Sequence, residues 1–181
     1  MPRIPALEPE AATGETRDAY DAGVARFGRM TNMKRTLLHS LPAYRALMEW
    51  YPLFEEIERF LGRRLATVFA HALSVESDCL VCTTYMRRML IDAGDDPGAL
   101  ALDERGEALV EFARAIARTG NRVPDEVYAR VARGFTSAQV VALTGFAGLM
   151  IATNIINNVL EVDLDEYLYD YRAAGPAPGK D

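Results

Sequence analysis

Apolar residues recur every three to four positions over most of this 181-residue chain, which is the spacing of one helical face. Thr13 and Gly28 bracket the first such run, and they predict a helix that ends near Phe27. Ser40 with Pro42 marks the start of another helix. No run of five residues alternates convincingly between apolar and polar types, so no strand is predicted.

The middle of the chain carries two predicted helices in succession. The second of them covers residues 79–93, with Asp78 as its predicted N-cap and Gly94 as its stop. The first covers residues 62–77, and its apolar stripe consists of Leu65, Val68, Phe69, Ala72 and Leu73.

Three further helices are predicted in the C-terminal half. They cover residues 103–119, 124–133 and 137–161. The last of them begins at a capping box, in which Thr136 and Gln139 each satisfy a backbone N–H of the other.

These elements predict an all-α protein with a single helical domain at 1–174, followed by a flexible tail at 175–181. A chain of this length buries roughly 70% of its unfolded surface, which is enough for a sizeable core. The helix at 137–161 is apolar most of the way round between Val140 and Ile151, so we expect it in the core or across a subunit interface. Its apolar surface favours a homo-oligomer.

Composition narrows the classes of function. Half of the residues are apolar, a quarter are charged and the net charge is −6. A nucleic-acid partner is not expected, because binding a phosphate backbone requires clustered Lys and Arg. The N-terminus lacks the apolar run of a signal peptide, and the stretch from Val140 to Ala152 is too short to span a bilayer, so we expect a cytoplasmic protein without a membrane partner.

Cys79 and Cys82 are the only two cysteines of the chain, and they lie three residues apart at the start of a predicted helix. Side chains at this spacing share one helical face, and the partial positive charge of a helix N-terminus favours thiolate over thiol. In a reducing compartment such a pair indicates catalysis or a metal site, but zinc normally takes four protein ligands and no second pair exists. We therefore expect a redox-active dithiol without a metal or cofactor; two buried structural cysteines are the alternative.

The dithiol helix, which ends in Leu90-Ile91-Asp92-Ala93-Gly94 and follows a helix of small and apolar residues, resembles the alkylhydroperoxidase D-like/carboxymuconolactone decarboxylase family. The motif covers residues 63–94, and the similarity in architecture extends over most of the chain. The resemblance implies an all-helical fold, thiol-dependent reduction of small organic hydroperoxides, and assembly into dimers or larger oligomers. Decarboxylase members do not use a cysteine pair, so that activity fits this chain less well.

The family's peroxidases add a glutamate twelve residues before the first cysteine and a histidine four residues after the second. This chain has Thr67 and Met86 at those positions, and neither takes up a proton at neutral pH. The family's proton relay therefore does not carry over to this chain, although its cysteine pair does.

Three residues are candidates for a replacement base or hydrogen-bond donor. His71 is the first, because it lies one helical turn after Thr67 on the same face and has an ordinary pKa near 6.5. Glu76 is the second, since it precedes the first cysteine by three residues. Tyr85, three residues after the second cysteine, is the third.

The resemblance implies that Cys82 is oxidised by the hydroperoxide and that Cys79 then resolves it to a disulfide, which an external dithiol must reduce. Helix electrostatics alone favours Cys79 as the nucleophile, because it lies nearer the helix start. The apolar neighbours Leu80, Val81 and Met86 favour an organic hydroperoxide over a charged substrate.

Two other functions stay open at this point. One is a catalytically silent helical oligomer that retains the dithiol without the relay, and the other is a decarboxylase or lactone-type enzyme with His71 as base. Asn154, Asn157 and Asn158 lie on the last apolar helix and are expected to form a hydrogen-bond cluster at an interface, since buried amides need partners.

Overall fold

Helices account for all the regular secondary structure of the computed structural model, which describes residues 1–118 and 121–173. Short 3-10 segments at Pro9–Ala11 and Glu166–Tyr171 flank the α-helices. Within the described residues there is no strand, which confirms the all-α prediction. The α-helices are α1 (Gly14–Phe27), α2 (Asn32–Leu37), α3 (Leu41–Met48), α4 (Trp50–Leu61), α5 (Arg63–Glu76), α6 (Leu80–Asp92), α7 (Glu104–Ala117), α8 (Asp125–Gly134) and α9 (Ser137–Leu160).

Local signals set most of the helix boundaries. Thr13 precedes α1, and Gly28 ends it in the left-handed conformation with φ 75°. The capping box at the start of α9 forms as predicted: Thr136 accepts the N–H of Gln139, whose side chain accepts the N–H of Thr136 in return. The predicted end of the seventh helix at residues 119–120 and the predicted tail at 175–181 lie outside the described residues.

The start of α6 differs from the prediction, because Asp78 is not its N-cap. Asp78 has φ 49°, a left-handed conformation that the short polar side chain of Asp tolerates. Cys79 has extended backbone angles and occupies the N-cap position, where its Sγ accepts the N–H of Cys82 at 3.4 Å. The dithiol therefore spans the first turn of α6, from its N-cap to its third residue.

The short helix α2 was not indicated by the sequence pattern. Thr31 accepts the N–H of Lys34 at its start, and the backbone N–H of Asn32 donates to Asp165 Oδ1 at 2.9 Å. Its buried face includes Lys34 and Thr36, which are polar, so no apolar stripe marks it in the sequence. The contact with Asp165 joins this helix to the segment that follows α9.

Helix α5 lies at the centre of the fold and packs against α4, α6, α7 and α9. Small residues such as Ala66 and Ala70 are fully buried on it and allow these neighbours to approach closely. Aromatic rings fill the space towards α4 and α9: Phe146 lies 5.7 Å from Phe54 and 6.2 Å from Phe69 between ring centroids.

Helix α9 is longer than the apolar stretch from Val140 to Ala152, because the helix continues to Leu160. By length and composition alone the whole of α9 could cross a membrane, which the shorter apolar stretch did not indicate. Within its most apolar window, 44% of the residues are buried in the described fold. Its other face exposes Val141 and Ile155, and the expected self-association stays a prediction.

Phe146 provides a test of this core. Because its ring is fully buried among other aromatic rings, we expect Phe146→Ala to lower the free energy of unfolding by about 3–5 kcal/mol, measured by urea titration. Val141→Ala on the exposed face of the same helix is the control, with an expected change below about 0.5 kcal/mol. Equal effects of the two substitutions would contradict this assignment of the buried face.

Candidate active site

The turn between α5 and α6 holds the dithiol in a fixed position. The N–H of Cys79 donates to the carbonyl of Ser74 at 3.1 Å, which ties the turn to the last part of α5. The N–H of Cys82 donates to Cys79 Sγ, so the thiol side chains face each other at the start of α6. Both cysteines are buried and free.

Helix α9 supports this turn through two asparagines. Asn157 Nδ2 donates to Cys82 Sγ at 3.2 Å, and Asn158 Nδ2 donates to the carbonyl of Ser77 at 3.0 Å. Asn154 and Asn157 are buried within the chain. The expectation of an interface cluster is therefore wrong for Asn157, which instead contacts one of the two sulfur atoms.

The two thiols differ in acidity. The hydrogen bond from the Cys82 thiol lowers the pKa of Cys79, and the backbone N–H of Cys82 and the side chain of Asn157 lower it further against the cost of burial. The same hydrogen bond raises the pKa of Cys82, and burial and the nearby Cys79 charge raise it further. The first thiolate therefore forms on Cys79, while Cys82 retains the shared proton.

A cavity of about 370 Å³ lies beside one residue of the pair. Cys82 lines this cavity, and Cys79 does not. Much of the remaining wall is aromatic or apolar and includes Phe27, Trp50, Tyr51, Met86 and Met150. The volume and the apolar wall are typical of a site for a small organic molecule.

The cavity also has charged groups in its wall. Arg29, Lys34 and Arg88 are cationic, and Asp165 carries the one carboxylate among the described residues that line it. Lys34 is 4% exposed. A small organic molecule bound beside Cys82 would therefore meet both aromatic rings and positive charge.

The residues that were predicted to replace the family's proton relay lie in different parts of the structure. Tyr85 lines the cavity together with Cys82. The carboxylate of Glu76 forms an ion pair with Arg118 at 3.1 Å, and within the described part of the chain no hydrogen bond joins Glu76 to either cysteine. Their roles in catalysis stay predictions.

His71 is partly buried on α5, and its buried Nε2 has no hydrogen-bond partner among the described residues. Burial lowers its pKa to about 4, and the nearby guanidinium groups of Arg87 and Arg114 contribute in the same direction. The imidazole is therefore neutral at pH 7. Its role as a base stays a prediction, and no hydrogen bond in the described structure links it to the dithiol.

The positions of the family's relay residues serve packing in this chain. The Thr67 hydroxyl donates to the carbonyl of Arg63 at 2.8 Å, one turn earlier on α5. Met86 is 2% exposed and contributes an apolar wall to the cavity. Neither position presents a titratable group to the sulfur atoms.

Asn157 and Lys34 are among the residues of the site that the sequence did not assign to it. Asparagines on an apolar helix are an unusual signal, for which the sequence alone predicts an interface. Lys34 carried no such signal, because a lysine in a short polar segment normally lies in solvent. The contact of Asn157 with Cys82 and the position of Lys34 in the cavity wall both depend on tertiary packing between distant segments.

No protein-family model and no curated protein sequence matches this chain. Solved structures do match it over most of its length. The chain is 13% identical to the debrominase Bmp8 in complex with 2,3,4-tribromopyrrole, with a TM-score of 0.75 and coverage of 93% of this chain and 94% of that one.

Two peroxidase-related proteins are similar to the same extent. One comes from Silicibacter sp. TM1040, with 15% identity, a TM-score of 0.75 and coverage of 93% of this chain and 96% of that one. The other is described as an alkylhydroperoxidase AhpD core and comes from Ralstonia eutropha JMP134, with 17% identity, a TM-score of 0.73 and coverage of 93% and 94%. The fold of this chain is therefore alkylhydroperoxidase D-like, as the resemblance implied.

The lowered pKa of His71 predicts a specific dependence of stability on pH. The unfolded chain binds a proton at His71 below pH 6.5 and the folded chain only below about pH 4, so folding loses stability as the pH falls between these values. Between pH 7 and pH 4.5 we expect the native chain to lose about 2 kcal/mol more than His71→Gln, measured by urea titration. Parallel pH profiles for the two proteins would contradict the buried neutral imidazole.

Proposed function

We propose that this chain, which has the alkylhydroperoxidase D-like fold, is a thiol-dependent peroxidase that reduces small organic hydroperoxides through a Cys79–Cys82 dithiol–disulfide cycle. The observation that carries the proposal is the asymmetry of the pair. Cys82 lines a cavity suited to a small organic molecule, while its partner Cys79 has the lowered pKa.

In the first step the Cys79 thiolate takes the proton of the Cys82 thiol. The Cys82 thiolate, held by the hydrogen bond from Asn157, attacks the terminal oxygen of the hydroperoxide. The O–O bond breaks, and the leaving alkoxide takes the proton from Cys79 and departs as the alcohol. Cys82 is left as a sulfenic acid and Cys79 again as a thiolate.

In the second step the Cys79 thiolate attacks the Cys82 sulfur and forms the disulfide. Hydroxide leaves and is protonated by solvent to water. The hydroperoxide has then received two electrons, and an external dithiol must return the disulfide to two thiols. This requirement supports a reducing location such as the cytoplasm, and the exposed apolar side chains Val141 and Ile155 on α9 support the homo-oligomer as part of the proposal.

A second candidate reaction is the reductive removal of halogen from an aromatic ring. The aromatic wall formed by Phe27, Trp50 and Tyr51 beside Cys82 favours a planar ring as ligand. Two electrons from the dithiol would replace a C–Br bond with C–H, release bromide and leave the same disulfide. Bmp8, a debrominase, has a similar fold.

Thiol titration of the reduced chain tests the cycle. We expect one equivalent of cumene hydroperoxide to remove both thiols, with the disulfide confirmed by mass spectrometry. Cys82→Ser is expected to slow peroxide consumption by at least about 100-fold, because the cysteine that lines the cavity loses its thiol. Cys79→Ser removes both the proton acceptor and the resolving thiol, so we expect slower peroxide consumption, while the sulfenic acid that does form on Cys82 persists and is trapped by dimedone.

The same assay separates the alternatives. Loss of thiols and release of bromide with 2,3,4-tribromopyrrole, but no reaction with the hydroperoxide, would favour dehalogenation. Thiols that remain unchanged with both reagents would contradict the redox cycle and leave a silent oligomer or an enzyme that uses His71 as base.

Asn157 provides a second test, aimed at how the dithiol is activated. Its amide donates to Cys82 Sγ and lowers the pKa of both thiols, so we expect Asn157→Ala to raise the pH at which peroxide reduction is half-maximal. At pH 7 the rate should fall by about 10- to 100-fold.

Asn154→Ala is the matched control, since Asn154 is an equally buried residue of the same type on the same helix. Its amide has no hydrogen-bond partner in the described structure, so its pH profile should match that of the native chain. An unchanged pH profile for Asn157→Ala would remove Asn157 from the activation of the thiols.

A further inference from the structure

We propose that the substrate that reaches Cys82 is an organic anion, with an apolar ring or chain that fills the cavity and a carboxylate that contacts Lys34. This inference rests on the proposed function, because it names the class of hydroperoxide that the dithiol reduces. It also revises the expectation of an uncharged substrate, which was based on the apolar neighbours of the cysteines. Of these, Val81 and Met86 do line the cavity, whereas Leu80 is 57% exposed and does not.

Lys34 has an unusual environment for a lysine. It lies on the buried face of α2, and its Nζ is 3.4 Å from the ring centroid of Phe27 and 5.0 Å from that of Tyr51. Within the described residues its amine forms no hydrogen bond and no ion pair. The faces of two aromatic rings are thus its nearest electrostatic support.

Burial lowers the pKa of Lys34 to about 8, and the nearby Arg26 acts in the same direction while Asp165 opposes it. The amine is therefore mainly protonated at pH 7. A buried cation without a paired anion is costly, and an anion that binds beside it offsets part of that cost.

The one carboxylate among the described residues that line the cavity, that of Asp165, already accepts a hydrogen bond. Its Oδ1 accepts the backbone N–H of Asn32 at 2.9 Å, and it forms no ion pair with Lys34. Asp165 therefore fixes the start of α2 and leaves the charge of Lys34 available to a ligand.

Two arginines add to the positive charge of the same cavity. Arg29 and Arg88 both line it, with guanidinium carbons 4.4 Å and 5.2 Å from the ring centroid of Tyr167. Arg88 is paired with Asp92 at 3.2 Å, but Arg29 and Lys34 against the carboxylate of Asp165 still leave the wall net positive, in a chain whose overall charge is −6. Such a local excess attracts anions and raises their concentration at the site.

Binding of two ligands that cannot be reduced tests the inference without any redox step. The reduced chain is titrated with 4-isopropylbenzoate and with its neutral analogue 4-isopropylbenzamide. Trp50, the sole tryptophan of the chain, lines the cavity, so its fluorescence reports binding. We expect the benzoate to bind at least about tenfold more tightly than the amide at pH 7.

Substitutions of Lys34 test whether this residue causes the preference for the benzoate. Lys34→Met keeps the approximate length of the side chain and removes its charge, so most of the preference for the benzoate should be lost while the affinity for the amide stays unchanged. Lys34→Arg should retain most of the preference. Arg59→Gln, an exposed position outside the cavity, is the control and should behave as the native chain does.

The outcomes separate this inference from the proposed function. Equal affinities in the native chain, tighter binding of the amide, or no binding of either ligand would overturn the anion site. Peroxide-dependent loss of thiols would still support the dithiol cycle in that case. Conversely, a benzoate preference that depends on Lys34, without thiol oxidation by any hydroperoxide, would support the anion site and contradict the peroxidase.

Discussion

The hydrogen bond from the N–H of Cys82 to the Sγ of Cys79 is the contact on which the site depends. A helix normally begins with an oxygen from Ser, Thr, Asp or Asn at this position, and sulfur is a weaker acceptor. The chain thus gives up part of the usual capping energy at α6 and gains a thiolate-stabilising donor. Because the cap and the third helical residue are both cysteines, starting the helix also brings the two sulfur atoms together.

The two cysteines of the dithiol differ in acidity and in their position relative to the cavity. The Cys79 thiol has the lowered pKa and lies away from the cavity, whereas Cys82 lines the cavity and holds the proton. The two thiols are coupled, so the charge on Cys79 further raises the pKa of Cys82. Helix electrostatics favoured Cys79 as the nucleophile, whereas the family resemblance favoured Cys82. The lowered pKa of Cys79 agrees with the first expectation, and the position of Cys82 in the cavity wall agrees with the second.

Local features of the fold could be predicted from the sequence, and contacts between distant segments could not. The capping box at Thr136 and the stop at Gly28 depend on residues within a few positions of each other. Asp78 was misassigned because Asp is common both as an N-cap and in left-handed turns, and the sequence does not distinguish them. The bond between Asn157 and Cys82 spans 75 positions and arises only when α9 packs against the dithiol turn.

This chain has Thr67 and Met86 where the family's peroxidases have Glu and His, and this difference has a consistent physical consequence. Both positions now hold buried side chains, one bonded to its own helix and one forming the cavity wall. The polar contact to Cys82 comes instead from an amide on α9, which donates a hydrogen bond but does not titrate near neutral pH. In the proposed cycle the dithiol must therefore supply its own proton acceptor, Cys79, and the pH dependence of the reaction then belongs to the cysteine pair itself.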